Sequence, residues 1–320
     1  MVCGCDEHLF GDSAVILSID IGGTKIAAAM VDGSRIVMRR QVSMSQHVEG
    51  FSQAIDELVA GMPSPERVAV AATGFVRDGY IHAVNQNIIP FWNGFSLVEF
   101  LAARFACPIA ILNDAQAATW AEYLASEAPI GCLLYLTLST GVGGGLIVGN
   151  RLQVGSSGLA GHVGHSTVGT LAVDGRMTCG CGRKGCLETI ASGTALARQA
   201  SFVFGEPLDS RELFARAAAD RRAEEILVNA ANAVAETISN CVMLLDVECA
   251  VIGGSVGLAP GMVERIRAAL DVQPDLVQVP VTKARLGADS GLIGVARWAA
   301  SDVSANKFPS SGTVPNPTVH

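Results

Sequence analysis

The chain has 320 residues, with 22 Lys+Arg against 30 Asp+Glu and a net charge of −8; half its residues are hydrophobic and 16% are charged. That length suits two domains better than one, and an acidic chain without a basic run has nothing to track a phosphate backbone, so nucleic acid is excluded as an expected partner. The opening MVCGCDEHLFGD lacks the basic-then-apolar order of a secretory signal, so the nine cysteines are read as reduced thiols of a cytoplasmic protein, not as a disulfide framework.

In chain order, residues 1–14 are expected to form a disordered tail on which Cys3, Cys5 and His8 carry no assigned role. VILSIDIGGTKIAAAMVDGSRIV then reads as strand, glycine turn, strand, polar turn and third strand. The first strand delivers Asp20 to a turn of Gly22, Gly23, Thr24 and Lys25. Glycines let backbone N–H groups approach phosphate oxygens, the hydroxyl and ammonium add donors, and Asp20 would hold Mg2+ through water. RVAVAATGFV and PIAILND are short buried strands, the first followed by a turn containing Gly74. The second ends on Asn113 and Asp114 before a helix, AQAATWAEYLASEA, where Asp114 taken alone is an N-cap.

No formal charge appears from Ala128 to Asn150, as in a membrane span. Gly141, Gly143, Gly144 and Gly145 crowd its middle, however, and divide it into two buried strands. LLYLTLSTGVGGGLIVGNRLQV also repeats the pattern of the first meander, whose copy carries Asp20 and Lys25, charges that a membrane would not accept. No membrane is expected as a partner. Ser139, Thr140 and Gly141 form a second phosphate cradle, and two such meanders far apart in sequence predict two similar sheets facing each other.

Next, GHVGHSTVGTLAVDGRMTCGCGRKGCLE, residues 161–188, joins Cys179, Cys181 and Cys186 to one of the two upstream histidines. Such a four-ligand set is what zinc takes in closed structural sites, and it leaves no position open for catalysis. Cys107, Cys132, Cys241 and Cys249 lie among apolar residues and are expected in the core. AEEILVNAANAVAETISNCVMLLD has helical spacing, and CAVIGGS is a strand with a third glycine turn, Gly253 to Ser255, against which an adenosine would rest. APGMVERIRAAL and SGLIGVARWAA read as helices, and the Pro/Ser-rich residues 301–320 as a disordered tail.

Together and in this order, DIGGTK, LNDAQAATWAEY, STGVGGG, GHVGH and CGCGRKGCLE resemble the ROK family of sugar kinases, from about Val15 to about Ala300. The resemblance implies an α/β, two-lobed actin-like ATPase (ribonuclease H-like) fold with a zinc-binding loop. One lobe spans 15–119, joined by the last helix at about 289–300, and the other spans 120–288. It implies ATP, Mg2+ and structural Zn2+, phosphoryl transfer to the 6-hydroxyl of a sugar or amino sugar in the cleft, and a homodimer. The nucleotide and magnesium residues are then Asp20, Gly22, Gly23, Thr24, Lys25, Ser139, Thr140, Gly141, Gly253 and Gly254. Asp114 takes the proton of the attacking hydroxyl, while Gly74, Asn87 (favoured over Asn85), Asn113, His162, His165 and Glu188 meet the sugar. The family pattern CxCGxxGC with the histidine of GxGH makes His165, Cys179, Cys181 and Cys186 the zinc ligands. This chain departs from most members at His162, where they have Glu, and the change is expected to bear on which sugar is preferred. A glucokinase or N-acetylglucosamine kinase is the alternative within the family, and a non-catalytic sugar-sensing regulator, like the family's sugar-responsive repressors, is the alternative of another class. Such repressors carry a helix-turn-helix ahead of the lobes, for which a first sheet starting near Val15 leaves no expected room, and Asp20, Lys25 and Asp114 are the residues of a kinase.

Overall fold

The computed structural model describes residues 15–77, 79–84, 89–175 and 177–301. The segments expected as tails, with Cys3, Cys5 and His8, lie outside the described residues apart from Ser301, and so do Asn85 and Asn87. The first part of the chain folds as β1 (Ile16–Ile21), β2 (Lys25–Asp32), β3 (Arg35–Ser43), α1 (Val48–Val59), β4 (Val68–Ala72), β5 (Phe75–Arg77), β6 (Tyr80–His82), α2 (Leu97–Ala102), β7 (Ile109–Asn113) and α3 (Asp114–Leu124). There follow β8 (Leu133–Leu138), β9 (Val142–Val148), β10 (Arg151–Leu152), α4 (Glu188–Ala191), α5 (Gly193–Phe204), α6 (Ser210–Ala217), α7 (Arg221–Leu245), β11 (Cys249–Gly253), α8 (Gly254–Gly257), α9 (Met262–Asp271), β12 (Val281–Lys283) and α10 (Ser290–Ala300).

The two large sheets share one plan. The first has the order β3-β2-β1-β4-β7 and the second β10-β9-β8-β11-β12, each an antiparallel meander extended by parallel strands. The charge-free stretch is the β8-β9 hairpin, and no helix among the described residues is long and apolar enough to cross a membrane.

Alternation along each strand sorts the side chains into layers. In β1, Leu17, Ile19 and Ile21 enter an outer core that also holds Phe51, Ile55 and Leu58 of α1. Ile16 faces the other way, and so does Ser18, whose hydroxyl donates to the Leu292 carbonyl of α10 at 2.6 Å. The second sheet is covered on its outer face by α5, α7 and α9. Between the sheets lie α3 and α10, sharing one core with both inner faces, among them Ala69, Ala71, Tyr135 and Val251.

That middle layer is thin because its contacts are made by small residues. A Cβ added at Gly143 of β9 would stand 2.9 Å from the Ala115 methyl of α3, and one at Gly145 would overlap Thr119. The later glycines of STGVGGG therefore form a seat for α3, where the sequence showed only a glycine-rich turn. In α10, a Cβ at Gly294 would fall on the Ala117 carbonyl of α3. Cys241 and Cys249 are buried, and Cys107, half-buried, packs against the outer core; Cys132, also half-buried, is a correction to its expected place in the core. Cys107 and Cys132 lie just ahead of a strand, β7 and β8, where the sheet ends and cover is incomplete.

Replacing a helical glycine by alanine at an exposed site gains about 1 kcal/mol. At Gly294 the methyl group has to push α3 away, and overpacking of this kind costs about 1–3 kcal/mol. Gly294→Ala should therefore lower the midpoint of urea unfolding. A raised midpoint would mean that α3 and α10 do not meet at this residue.

Candidate functional site

The first turn of α3 organises the site. Asn113, the last residue of β7, is the N-cap: its Oδ1 accepts from the backbone N–H of Ala115 at 3.0 Å and of Gln116 at 3.1 Å. The bland reading of Asp114 as the cap is thus corrected, because the strand ends one residue earlier and the acceptor of Asn113 reaches the free N–H groups first. Asp114 becomes the first helical residue. Its Oδ1 accepts from Ala115 N at 2.8 Å and from Asn113 Nδ2 at 2.9 Å, while its Oδ2 has no hydrogen bond among the described residues. Asn113 Nδ2 also donates to the Gly74 carbonyl at 2.8 Å, which ties the turn after β4 to the helix. Gly74 has φ +93, and a Cβ there would meet the His82 carbonyl.

Asp20 ends the inward-facing row of β1, with its carboxylate beside Gly291 at the start of α10. Burial pushes this carboxyl up from the ordinary 3.8 to about 7; the Asp114 carboxylate adds to the rise, and Lys25 and Arg39 oppose it. Arg39 is shared with Asp289, which it contacts at 3.0 Å. Burial likewise raises Asp114, against the hydrogen bonds it accepts from Ala115 and Asn113. Burial thus acts on both carboxyl groups, and they lie near enough for the charge of Asp114 to add to the rise at Asp20. The adjoining turn is closed by Gly22 N donating to Lys25 O at 3.0 Å, and Thr24 O accepts from Met44 N at 3.0 Å. Gly23 is half-buried in that turn, and Lys25 is exposed.

Three backbone segments converge at the end of β8. Ser139 Oγ accepts from Ser255 N at 3.2 Å, and Ser139 O accepts from Gly193 N at 2.7 Å. Thr140 O accepts from the hydroxyl of Thr194 at 2.9 Å. Gly254, with φ +83, lies so close that a Cβ would fall on the Leu138 carbonyl. The predicted turns at Ser139–Gly141 and Gly253–Ser255 are thus neighbours. The third participant, Ser192 to Thr194, was missed, although Ser192 signals it by capping α5 through its hydroxyl on Ala195 N.

The loop between β10 and α4 holds the remaining residues. His165 Nδ1 lies 3.4 Å from Cys179 Sγ, Cys181 Sγ lies 3.7 Å from Cys186 Sγ, and the four ligand atoms all fall within 4.8 Å of one another. Sulfur and nitrogen ligands around one tetrahedral zinc ion stand about 3.6–3.8 Å apart, so this donor set fits that ion. Burial pushes the Cys179 thiol up to about 12, so its thiolate needs a cation beside it. Glu188 reaches out of the same loop: its Oε2 accepts from Val142 N at 3.1 Å and approaches Gly141, while its Oε1 stands 3.8 Å from Cys179 Sγ. His162 lies apart from this cluster. Its Nδ1 is buried without a partner among the described residues, and burial, with the charge of His165, holds its pKa below the ordinary value against the opposing effect of the nearby Leu159, Ala160 and Gly74 backbone.

The model of the ROK family matches residues 16–302. An N-acetylmannosamine kinase of Vibrio cholerae is 41% identical over 283 residues, 88% of this chain and 97% of that protein. Among solved structures, the ROK hexokinase from Thermus thermophilus aligns with a TM-score of 0.74 and 32% identity over 91% of this chain and 98% of that one. A ROK family glucokinase from Streptomyces griseus, in complex with glucose and AMPPNP, aligns with a TM-score of 0.75 and 29% identity over 89% of this chain and 98% of that one.

The Asp20 shift has a definite consequence for stability. Its folded-state value, about 7, lies above the ordinary 3.8, so the folded ligand-free protein keeps a proton there that the unfolded chain releases. The stability this supplies is complete below about pH 4 and lost as pH rises through about 7. Without magnesium or nucleotide, Tm should fall between these limits, and Asp20→Asn should flatten the fall. Parallel Tm profiles for the two proteins would remove Asp20 as its source.

Proposed function

The chain belongs to the ROK family, and from that membership we propose that it transfers the γ-phosphoryl group of ATP to the 6-hydroxyl of N-acetylmannosamine, a step of sialic acid breakdown. The observation that carries the reading is the pair of carboxyl groups at Asp20 and Asp114, one beside a glycine turn and one at the head of α3 with an unengaged oxygen. The Vibrio cholerae relative supports N-acetylmannosamine as the sugar. The glucose and AMPPNP complex of the Streptomyces griseus relative supports a sugar and an adenine nucleotide as the two substrates.

In this reading Asp114 Oδ2 accepts the proton of the 6-hydroxyl as its oxygen attacks phosphorus, and Asn113 fixes the carboxylate by occupying Oδ1. Proton transfer from an oriented hydroxyl and charge stabilisation are most of what a protein contributes to this chemistry. Gly22, Gly23, Thr24, Lys25, Ser139, Thr140, Gly141, Gly253 and Gly254 line the nucleotide site, where the N–H groups of Gly22 and Ser139 hold the turns themselves by donating to Lys25 O and Gly141 O. Asp20 would hold Mg2+ through water, and the ion when bound neutralises phosphoryl charge. Gly74, Asn113, His162, His165 and Glu188 orient the sugar, and His165, Cys179, Cys181 and Cys186 would hold a structural Zn2+. Asn87 is assigned to the sugar as well, though it lies outside the described residues. The reading takes residues 15–119 with the last helix as one lobe, residues 120–288 as the other, and a homodimer as the working form, in the cytoplasm.

Two measurements test it. ADP release should be fastest with N-acetylmannosamine among that sugar, N-acetylglucosamine and glucose, and Asp114→Asn should lower kcat by about 10²- to 10⁴-fold with sugar binding retained. A wild type preferring glucose would replace the substrate, and near-normal turnover in Asp114→Asn would remove the base. Metal analysis of the purified protein should find one zinc per chain, and Cys181→Ser should lose it together with sugar affinity. Full activity without zinc would rule out that part of the reading.

A further inference from the structure

Gln116 lies in the first turn of α3, two residues past Asp114, and is 1% exposed. An amide so buried has to find its partners inside the protein. Its Nε2 donates to the carbonyl oxygens of Ala160 at 2.9 Å and Gly158 at 3.3 Å, both in the loop that carries His162. Asn113, three residues earlier on the same turn, makes the matching contact to the Gly74 carbonyl at 2.8 Å.

Ala160 stands two residues before His162 in the same loop, and the backbone of Gly74 also lies near the imidazole. Two amides of one helical turn thus hold, one each, backbone segments that flank His162. On its far side the loop is seated on β9: a Cβ at Gly161 would stand 2.6 Å from Gly145 Cα, and one at Gly164 would overlap the Val142 carbonyl. The backbone on both sides of His162 is thus held close to β9, and the buried Nδ1 of its ring has no protein partner among the described residues. A buried polar atom without a partner is uncommon, and a hydroxyl or amide of a bound molecule is the kind of group that would satisfy it.

We propose that Gln116 is a positioning residue for sugar discrimination: by tying Gly158 and Ala160 to the helix that carries Asp114, it fixes His162 relative to the base, so that the group selecting the sugar and the group taking its proton move together. This inference rests on the reading of His162 as a sugar contact. Its chemistry requires a side-chain amide of this length. Methionine would leave both carbonyls unpaired, and asparagine is one methylene too short to reach them.

The test compares wild type with Gln116→Met and Gln116→Asn. For each protein, kcat and KM are measured for N-acetylmannosamine, N-acetylglucosamine and glucose, and KM for ATP. Loss of these neutral hydrogen bonds should raise KM for the preferred sugar by about tenfold and lower its kcat/KM advantage over the next sugar by about fivefold. KM for ATP should stay within about twofold, and zinc content should not change. A general loss of packing would lower kcat for every sugar alike, so an unchanged sugar ratio in either folded variant overturns the proposal. Should Gln116→Met fail to fold, Gln116→Asn, which keeps the polarity of the site, supplies the readout. A wild type that ranks another sugar first would overturn the substrate reading alone, because the Gln116 effect is then read on the two sugars it ranks highest. If no sugar is phosphorylated, the same discrimination is read from sugar-induced shifts in Tm, and equal shifts in wild type and variant overturn the proposal.

Discussion

The closeness of α3 to its neighbours is the constraint from which the site follows. A helix can lie on a strand at such a distance only where one partner lacks a side chain. Here Gly143 and Gly145 give way to Ala115 and Thr119, and Gly294 gives way to Ala117. The face of α3 is correspondingly small, with Ala115, Ala117, Ala118, Thr119 and Ala121 all buried. The arrangement drives the head of the helix into the molecule. Asp114, a residue type that normally stays in water, is carried into the interior because the helix behind it cannot stand further out.

Burial of that carboxylate sets up an electrostatic conflict with Asp20, and the two residues meet it with different means. Asp114 has the N–H groups and positive end of a helix beside it, which favour its charged form. Asp20 has no such support within its strand. It depends on Lys25 and on Arg39, and Arg39 is shared with Asp289. Burial raises both groups, but the rise at Asp114 is opposed by hydrogen bonds from Ala115 and Asn113, whereas at Asp20 it is opposed only by the charges of Lys25 and Arg39, so Asp20 is the one whose charged form depends on cations. The two side chains are chemically identical, so the difference between them lies in their surroundings.

Some of this was legible in the sequence because it is written in local patterns. The alternation in VILSID, the glycine turns and the duplicated meander are short-range signals, and β1-β2-β3 and β8-β9-β10 form where they stand. Other local signals were present but overlooked: Phe51, Ile55 and Leu58 at helical spacing in α1, and the Asp209 and Glu212 capping box of α6. Asn113 and Asp114 could not be ranked as caps, since both are good acceptors and the choice depends on where β7 stops pairing with β4 at Ala72. The meaning of Gly145, Gly164 and Gly294 was out of reach, because each is defined by a backbone distant in sequence. Gln116 reads as one polar residue on a helix until its carbonyl partners, more than forty residues away, are brought to it.

The stretch from 153 to 187 shows how a segment with little regular structure is held to such a core. Between β10 and α4 its described residues contain the 3-10 turn Val163–His165 and two isolated bridges, Thr167 with Cys186 and Thr178 with Lys184, and a connection of that length has a large conformational entropy to lose. Single side chains from the rigid elements pin it in turn. Gln116 holds Gly158 and Ala160, and Glu236 of α7 takes the N–H groups of Gly169 and Thr170. The cluster of His165, Cys179, Cys181 and Cys186 joins the two ends of what remains. Glu188 then connects that cluster to the turn after β8, with one oxygen toward Cys179 and the other on Val142 N. A closed four-ligand metal site has no open position at which to do chemistry, but it can transmit position. Joined to Glu188, such a site would hold the end of the loop against the same β8-β9 turn that lies beside Ser255 and Gly193, so the loop and that turn would be braced through one carboxylate.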